Sequence, residues 1–171
     1  MIPKKIEKAF NEQINAETYS AYLYWSMSAA LEDMQLPGFA GWMRAQAQEE
    51  MTHAAKFYHH IVERSGRVKM TAIKAPPVEW ESLEKMFNDV LKHEQLVTSL
   101  IHKLVDLAMD EKDYAAQIFL QWFVSEQVEE EAGVEEVLGK LRLVGDRKGG
   151  LYMLDKEMGQ RVFTAPTKGD A

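Results

Sequence analysis

Apolar residues return every three to four positions through four long stretches of the 171-residue chain, the period of an amphipathic helix. The first stretch opens at Pro3, which suits a first helical position because its missing N–H costs nothing there, and runs to about Asp33. Leu36-Pro37-Gly38 breaks it, and a second follows from about Gly38 to Arg64, with Gly66 placed as a C-terminal cap. A third covers roughly 80–109 and a fourth roughly 113–143, joined by the polar turn Asp110-Glu111-Lys112-Asp113. Gly149-Gly150 precedes a short last helix from about Leu151 to Gln160. Residues 164–171 read as a flexible tail to a single domain spanning 1–163. No Val/Ile-rich alternating run competes with these helices, so the pattern predicts an all-α fold.

Helices of nearly thirty residues are about 40–45 Å long at about 1.5 Å per residue. Four of that length in so short a chain must pack side by side as a bundle. Residues 66–79, with Ala75-Pro76-Pro77, form the one long loop. At about 3.3 Å per residue it reaches about 46 Å, enough to run the length of the bundle. Plain up-down-up-down connectivity needs no such loop. The length therefore predicts a crossover that makes the third helix parallel to the second.

Composition narrows the classes of function. Apolar residues at 46% and charged residues at 27% describe a chain with a sizeable core. Its 27 acids against 20 bases give a formal charge of -7, against the basic footprint of a dedicated nucleic-acid binder. Cysteine is absent, which removes disulfides, thiolate metal sites and cysteine nucleophiles. No apolar run approaches the roughly 18 residues of a membrane span. The N-terminus Met1-Ile2-Pro3-Lys4-Lys5-Ile6-Glu7-Lys8 returns to charge too soon for a signal peptide, so a cytoplasmic location is expected.

The chemistry lies inside the apolar stripes. On the first helix Ile6, Phe10, Ile14, Ala21 and Leu31 share a face with Glu17 and Tyr24. On the second, Phe39, Met43, Ala47, Ala54, Phe57 and Ile61 flank Glu50 and His53. The third sets Glu94 among Phe87, Val90, Val97 and Ile101, and the fourth sets Gln127 and Glu130 among Leu120, Phe123 and Val134. At about 100° per residue these polar groups point inward with the core. A register of 77 residues carries Glu17 to Glu94, Glu50 to Gln127 and His53 to Glu130, so the two helical hairpins read as copies. By angle alone either Glu130 or Glu131 could face inward, and the register favours Glu130.

One acid on a core stripe is ordinarily a snorkelling or hydrogen-bonded residue. Four are different, because each costs several kcal/mol to desolvate unless a cation compensates. No Lys or Arg occupies the stripe centres. One carboxylate from each of two helices, with an i, i+3 pair from each of the others, is the di-iron bundle arrangement. Oxygen ligands with one imidazole and no thiolate favour iron or manganese, two ions suit the count, and Glu50 is placed to bridge them.

With these residues in view, the chain resembles the non-haem ferritins of bacteria and archaea over nearly its whole length, a ferritin-like bundle with a short fifth helix. The resemblance is carried by Gln13-Ile14-Asn15-Ala16-Glu17, by Gln48-Glu49-Glu50-Met51-Thr52-His53, and by the run from Phe119 to Glu131. It implies that Glu17, Glu50 and His53 hold one iron of a ferroxidase centre and Glu50, Glu94 and Glu130 the other. Gln127 and Tyr24 are expected beside them as hydrogen-bonding residues. It further implies a third iron site at Glu49, Glu126, Glu129 and Glu130, and a hollow homo-oligomeric shell of 24 subunits storing ferric oxide. The partners it implies are Fe(II) and dioxygen, while the donor that releases iron is unknown.

Bacterioferritins and rubrerythrins carry a second Glu-x-x-His where this chain has Gln127-x-x-Glu130, so no haem is expected and Met51 is read as packing. His59, His60, His93 and His102 are read as surface or packing residues, and the ten methionines as core filler. Two other readings remain open at this point. One is a soluble di-iron enzyme acting on peroxide or an organic substrate without storage. The other is a structural bundle whose buried acids only hold helix register.

Overall fold

Two tight reversals and one long strap decide how the helices lie. In the computed structural model, which describes residues 1–145 and 147–164, these are α1 (Lys4–Asp33), α2 (Pro37–Glu63), α3 (Leu83–Asp110), α4 (Tyr114–Val144) and α5 (Lys148–Met158). The described residues contain no strand. Beyond Thr164, the tail expected at 164–171 lies outside them.

α1 ends where Leu36 N–H bonds the Leu31 carbonyl and Gln35 N–H that of Glu32, both at 3.0 Å, with Gln35 at φ 61°. This paired closure satisfies carbonyls that would otherwise be orphaned. Seventy-seven residues later Lys112, at φ 52°, repeats it: Asp113 N–H bonds Ala108 O at 2.9 Å and Lys112 N–H bonds Met109 O at 3.0 Å. The internal register therefore extends to the turns, and each hairpin folds back on itself. α2 closes the same way, but its left-handed residue is Ser65 (φ 57°) and not the expected Gly66. Gly66 is needed for space, since a Cβ there would meet Ile2 and Ile61 side-chain carbons at 2.7 and 2.8 Å.

Caps set the other boundaries. Ser82 Oγ accepts from Lys85 N–H, so α3 starts at Leu83, slightly later than expected. Asp113 accepts from Ala116 N–H at the start of α4 and from Arg64 Nη1 at 2.6 Å, tying the end of α2 to α4. α5 begins earlier than the glycine pair suggests, with Gly149 and Gly150 inside its first turn.

Between α2 and α3 the chain runs along the outside of α1. Glu7 accepts from Arg67 N–H; Asn11 donates to Arg67 O and accepts from Lys69 N–H; Asn15 donates to Thr71 Oγ1 and Ala72 O. Ser26 donates to Pro77 O further along. α3 then returns beside α1, where Ser20 Oγ meets His93 Nε2 at 2.8 Å and Tyr24 OH donates to Glu94. α3 is thus antiparallel to α1 and parallel to α2, the expected crossover.

The core divides into two apolar clusters. One gathers Met27, Leu31, Phe39, Met43, Phe87 and Leu138; the other gathers Ile6, Phe10, Phe57, Ile61, Ile101 and Phe123. α5 closes the first end by supplying a cap that α2 lacks: Asp155 Oδ1 accepts from Phe39 N–H at 3.0 Å. Gly38 permits this approach, because a Cβ there would sit 1.7 Å from Asp155 O. Among the described residues, no helix is long and apolar enough to cross a membrane.

Candidate metal centre

Between the two apolar clusters lies a layer of buried polar side chains, all drawn from the four long helices. α1 contributes Glu17, α2 Glu50 and His53, α3 Glu94, and α4 Gln127 and Glu130, none more than 7% exposed. The i, i+3 spacing of 50 and 53 puts His53 Nδ1 3.3 Å from Glu50 Oε2. Ligand-capable atoms of Glu17, Glu50 and His53 all lie within 4.8 Å of one another, and the same holds for His53, Glu126 and Glu130. Trp122 and Phe123 meet the imidazole edge to face, with ring centres 5.4 and 5.9 Å away, and hold its orientation.

Hydrogen bonds divide the acids. Glu94 receives Tyr24 OH and, at 3.3 Å, Gln127 Nε2, which also reaches the Glu94 carbonyl and Thr98 Oγ1 at 3.2 Å. Gln13 Nε2 donates to Glu17 Oε1 at 2.9 Å, and Gln46 Nε2 to Glu130 Oε2 at 2.8 Å. Glu17 Oε2, Glu50 Oε2 and Gln46 Oε1 are left buried with no hydrogen bond among the described residues. Burial and the neighbouring charges of Glu94 and Glu17 push the Glu50 carboxyl well above its usual range. Burial also raises Glu17, and with the charge of Glu130 it lifts Glu94 to about 8. Acids crowded this closely, with bare oxygens facing one another, suit a cation that takes the place of their protons. Carboxylate oxygen with one imidazole is a donor set that fits Fe(II).

The structure does not gather every expected residue equally. Glu94 joins neither ligand group; its oxygens accept from Tyr24 and Gln127. Of the four acids expected at a third site, Glu126 and Glu130 come together with His53. Glu129 is exposed, and Glu49 pairs with Arg161 Nη2 at 2.5 Å. Burial raises Glu49 to about 7 even against that guanidinium. Glu130 is the buried member of its run, while Glu131 is half-buried and accepts from Thr98 Oγ1. Met51, read as packing, stands 49% exposed instead, because its position on α2 turns outward from the stripe. His93 is half-buried against Tyr19, Tyr24 and Ser20, and desolvation lowers it to about 4. His60 stacks on Phe119, and His59 and His102 are exposed.

Sequence reasoning missed Gln13, Gln46, Thr98 and Arg161. The glutamines had a readable signal, since each lies one helical turn before a stripe acid, Glu17 or Glu50, on the same buried face.

The family model of the ferritin-like domain matches residues 7–144, which span α1 to the end of α4 and every residue of the centre. The chain belongs to the ferritin family. It is 44% identical to a bacterial non-heme ferritin of Bacteroides fragilis over 161 residues, covering 94% of this chain and all of that one. A bacterial non-heme ferritin of Escherichia coli is 41% identical over 91% of this chain and 94% of its own length. An engineered closed form of the Archaeoglobus fulgidus ferritin superposes with a TM-score of 0.95 at 51% identity, over 96% of this chain and all of that one. A structure of the open-pore ferritin from the same archaeon gives 0.93 at 51% identity, over 95% of this chain and all of that one. Membership of the ferritins supports iron storage and ferroxidase chemistry at the level of the family.

Proposed function

We propose that this chain oxidises Fe(II) with dioxygen at a di-iron centre within each subunit and stores the ferric product as a hydrated oxide inside a hollow shell of 24 copies. The observation that carries this is the pair of buried oxygens on Glu17 and Glu50 that have no hydrogen bond, beside an imidazole held by aromatic rings. Glu17, Glu50 and His53 bind one Fe(II); Glu50, Glu94 and Glu130 bind the second. Gln13 and Gln46 aim Glu17 and Glu130, and Tyr24 and Gln127 hold Glu94. Each Fe(II) gives up one electron, and the pair reduces dioxygen to hydrogen peroxide with uptake of two protons. Carboxylates lower the charge of the bound ions and favour the ferric state, while the two apolar clusters keep bulk water from the layer.

Sedimentation velocity after aerobic loading at tens of irons per chain tests this, with protein and ferric absorbance followed together. Twenty-four chains of 19.6 kDa form a closed particle of about 470 kDa before iron is added. Ferric absorbance moving with a particle at least that heavy, far beyond two irons per chain, is the expected result. A small oligomer saturating near two irons per chain would sink storage and leave a di-iron redox enzyme.

A further inference from the structure

Glu49 follows the chain direction of α2 one residue ahead of Glu50, so it leaves the centre on a neighbouring face and keeps company with Glu126 and Glu130 there. What meets it is a residue from beyond α5. Arg161 Nη2 bonds Glu49 Oε2 at 2.5 Å, and the guanidinium carbon lies 4.6 Å from the centre of the Trp42 ring. Trp42 sits two helical turns before Glu49 on α2, so one cation is held at two points along one helix. The approach is built in further back: Asp155 caps Phe39, and a Cβ on Gly159 would lie 3.3 Å from Gly38 Cα. The chain leaving α5 is thereby laid along the first turns of α2 and delivered to Glu49.

A guanidinium carries only donors, and it is a cation itself. On Glu49 it occupies Oε2 and sets a positive charge beside any metal ion bound to the same carboxylate, so the two cations compete for Glu49. We propose that Arg161 is the resident counter-cation of the outer acid cluster, setting how tightly Glu49, Glu126 and Glu130 take a metal ion and leaving when they do. The proposal rests on the reading of these acids as iron-handling groups. Filling this outer position then frees the segment after α5 from α2, while the inner positions fill without disturbing it. Arg161 is a positioning residue in this account, acting through Glu49.

Anaerobic titration calorimetry of the assembled full-length protein with Fe(II), repeated with Zn(II), tests it. Arg161→Gln is expected to tighten the weakest class of sites about tenfold and leave the tighter classes unchanged. Arg161→Lys, which keeps the charge, is expected to stay near the unmodified protein. In a Glu49→Gln background the removal of Arg161 should change little, since the carboxylate for which the two cations compete is gone. As a second readout, filling the weakest class should change the emission of Trp42, so both Arg161→Gln and Trp42→Phe should remove that part of the signal and leave the part from Trp122 beside His53. An Arg161→Gln isotherm that overlays the unmodified one, with a weak class present in both, overturns the proposal. So does a tenfold gain that survives in the Glu49→Gln background. Uptake that stops at two ions per chain in both proteins overturns the outer cluster as a metal position, and the proposal with it. No uptake at all overturns the metal centre itself.

Discussion

In the first hairpin, Glu17 and Glu50 each keep a buried oxygen without a hydrogen bond, with His53 Nδ1 3.3 Å from that of Glu50; in the second, Glu94 and Glu130 receive Tyr24 and Gln46 from the first hairpin, and Gln127 from their own. The two halves share a 77-residue register, down to the left-handed residues Gln35 and Lys112 that turn them. They differ in how the acids are kept. Both carboxylates of the second half are oriented by hydrogen bonds from more than their own helix, while in the first Gln13 holds one oxygen of Glu17 and the second oxygens of Glu17 and Glu50 have no hydrogen bond beside His53. A duplicated frame thus carries two kinds of half-site, one more fully held by protein donors and one with two buried oxygens that, in the proposed function, a cation would satisfy.

The strongest way to break this contrast is Glu50→Ala, which removes a buried oxygen without a hydrogen bond and, in the proposed function, the residue shared by both iron positions. Fe(II) oxidation, followed by ferric absorbance, is expected to fall on the order of 100-fold or more. The melting temperature of the metal-free protein should hold or rise, because a buried unsatisfied acid costs stability. A retained rate would leave the acids as mere register devices.

A change of pH tests both halves together without mutation. Glu94, raised to about 8, and Glu50 and Glu17, raised by burial, bind more protons folded than unfolded. Stability of the chelator-treated protein should therefore fall as pH rises from about 5 to 8, by on the order of a few kcal/mol. Bound metal should flatten that slope, and urea midpoints at pH 5.5 and 8 with and without Zn(II) would show it.

Gln127→Glu sharpens the contrast by giving the second hairpin the acid the first has at Glu50. It replaces a donor 3.3 Å from Glu94 with a second carboxylate. At pH 8 the metal-free protein is expected to lose about 2 kcal/mol, roughly a 5 °C drop in melting temperature, which Zn(II) restores. Smallest of all is Lys112→Gly. Lys112 is exposed and left-handed, so glycine should add about 0.5–1 kcal/mol, measured by urea midpoint, and Gln35→Gly should match it if the turns are true copies.

Much of this architecture is legible in the bare sequence because a helical period leaves few choices. Glu17, Glu50, His53, Glu94 and Glu130 announce themselves as polar residues at apolar phases, and the 77-residue register separates Glu130 from Glu131. The loop at 66–79 gives away the crossover by length alone. What stays hidden depends on contacts between distant segments. Nothing local marks Arg161 as a partner for Glu49, and nothing about Ser65 says that it, and not Gly66, takes the left-handed place. Gly66 is required instead by Ile2 and Ile61, which leave no room for a side chain there.

The strap against α1 has a consequence for which changes of length the chain tolerates. Four helical residues advance about 6.0 Å and two residues of drawn-out chain about 6.6 Å. Glu7, Asn11 and Asn15 can therefore meet residues 67, 69 and 71 like two rulers of nearly equal graduation. Surface connections ordinarily absorb insertions. Here a single added residue before 67 would throw every mark out of step at once, whereas a pair would slide the strap to the next mark. Between these contacts and α3 the same lengthening meets no graduation until Ser26, so insertions should be accepted at 73–76 and refused at 64–71.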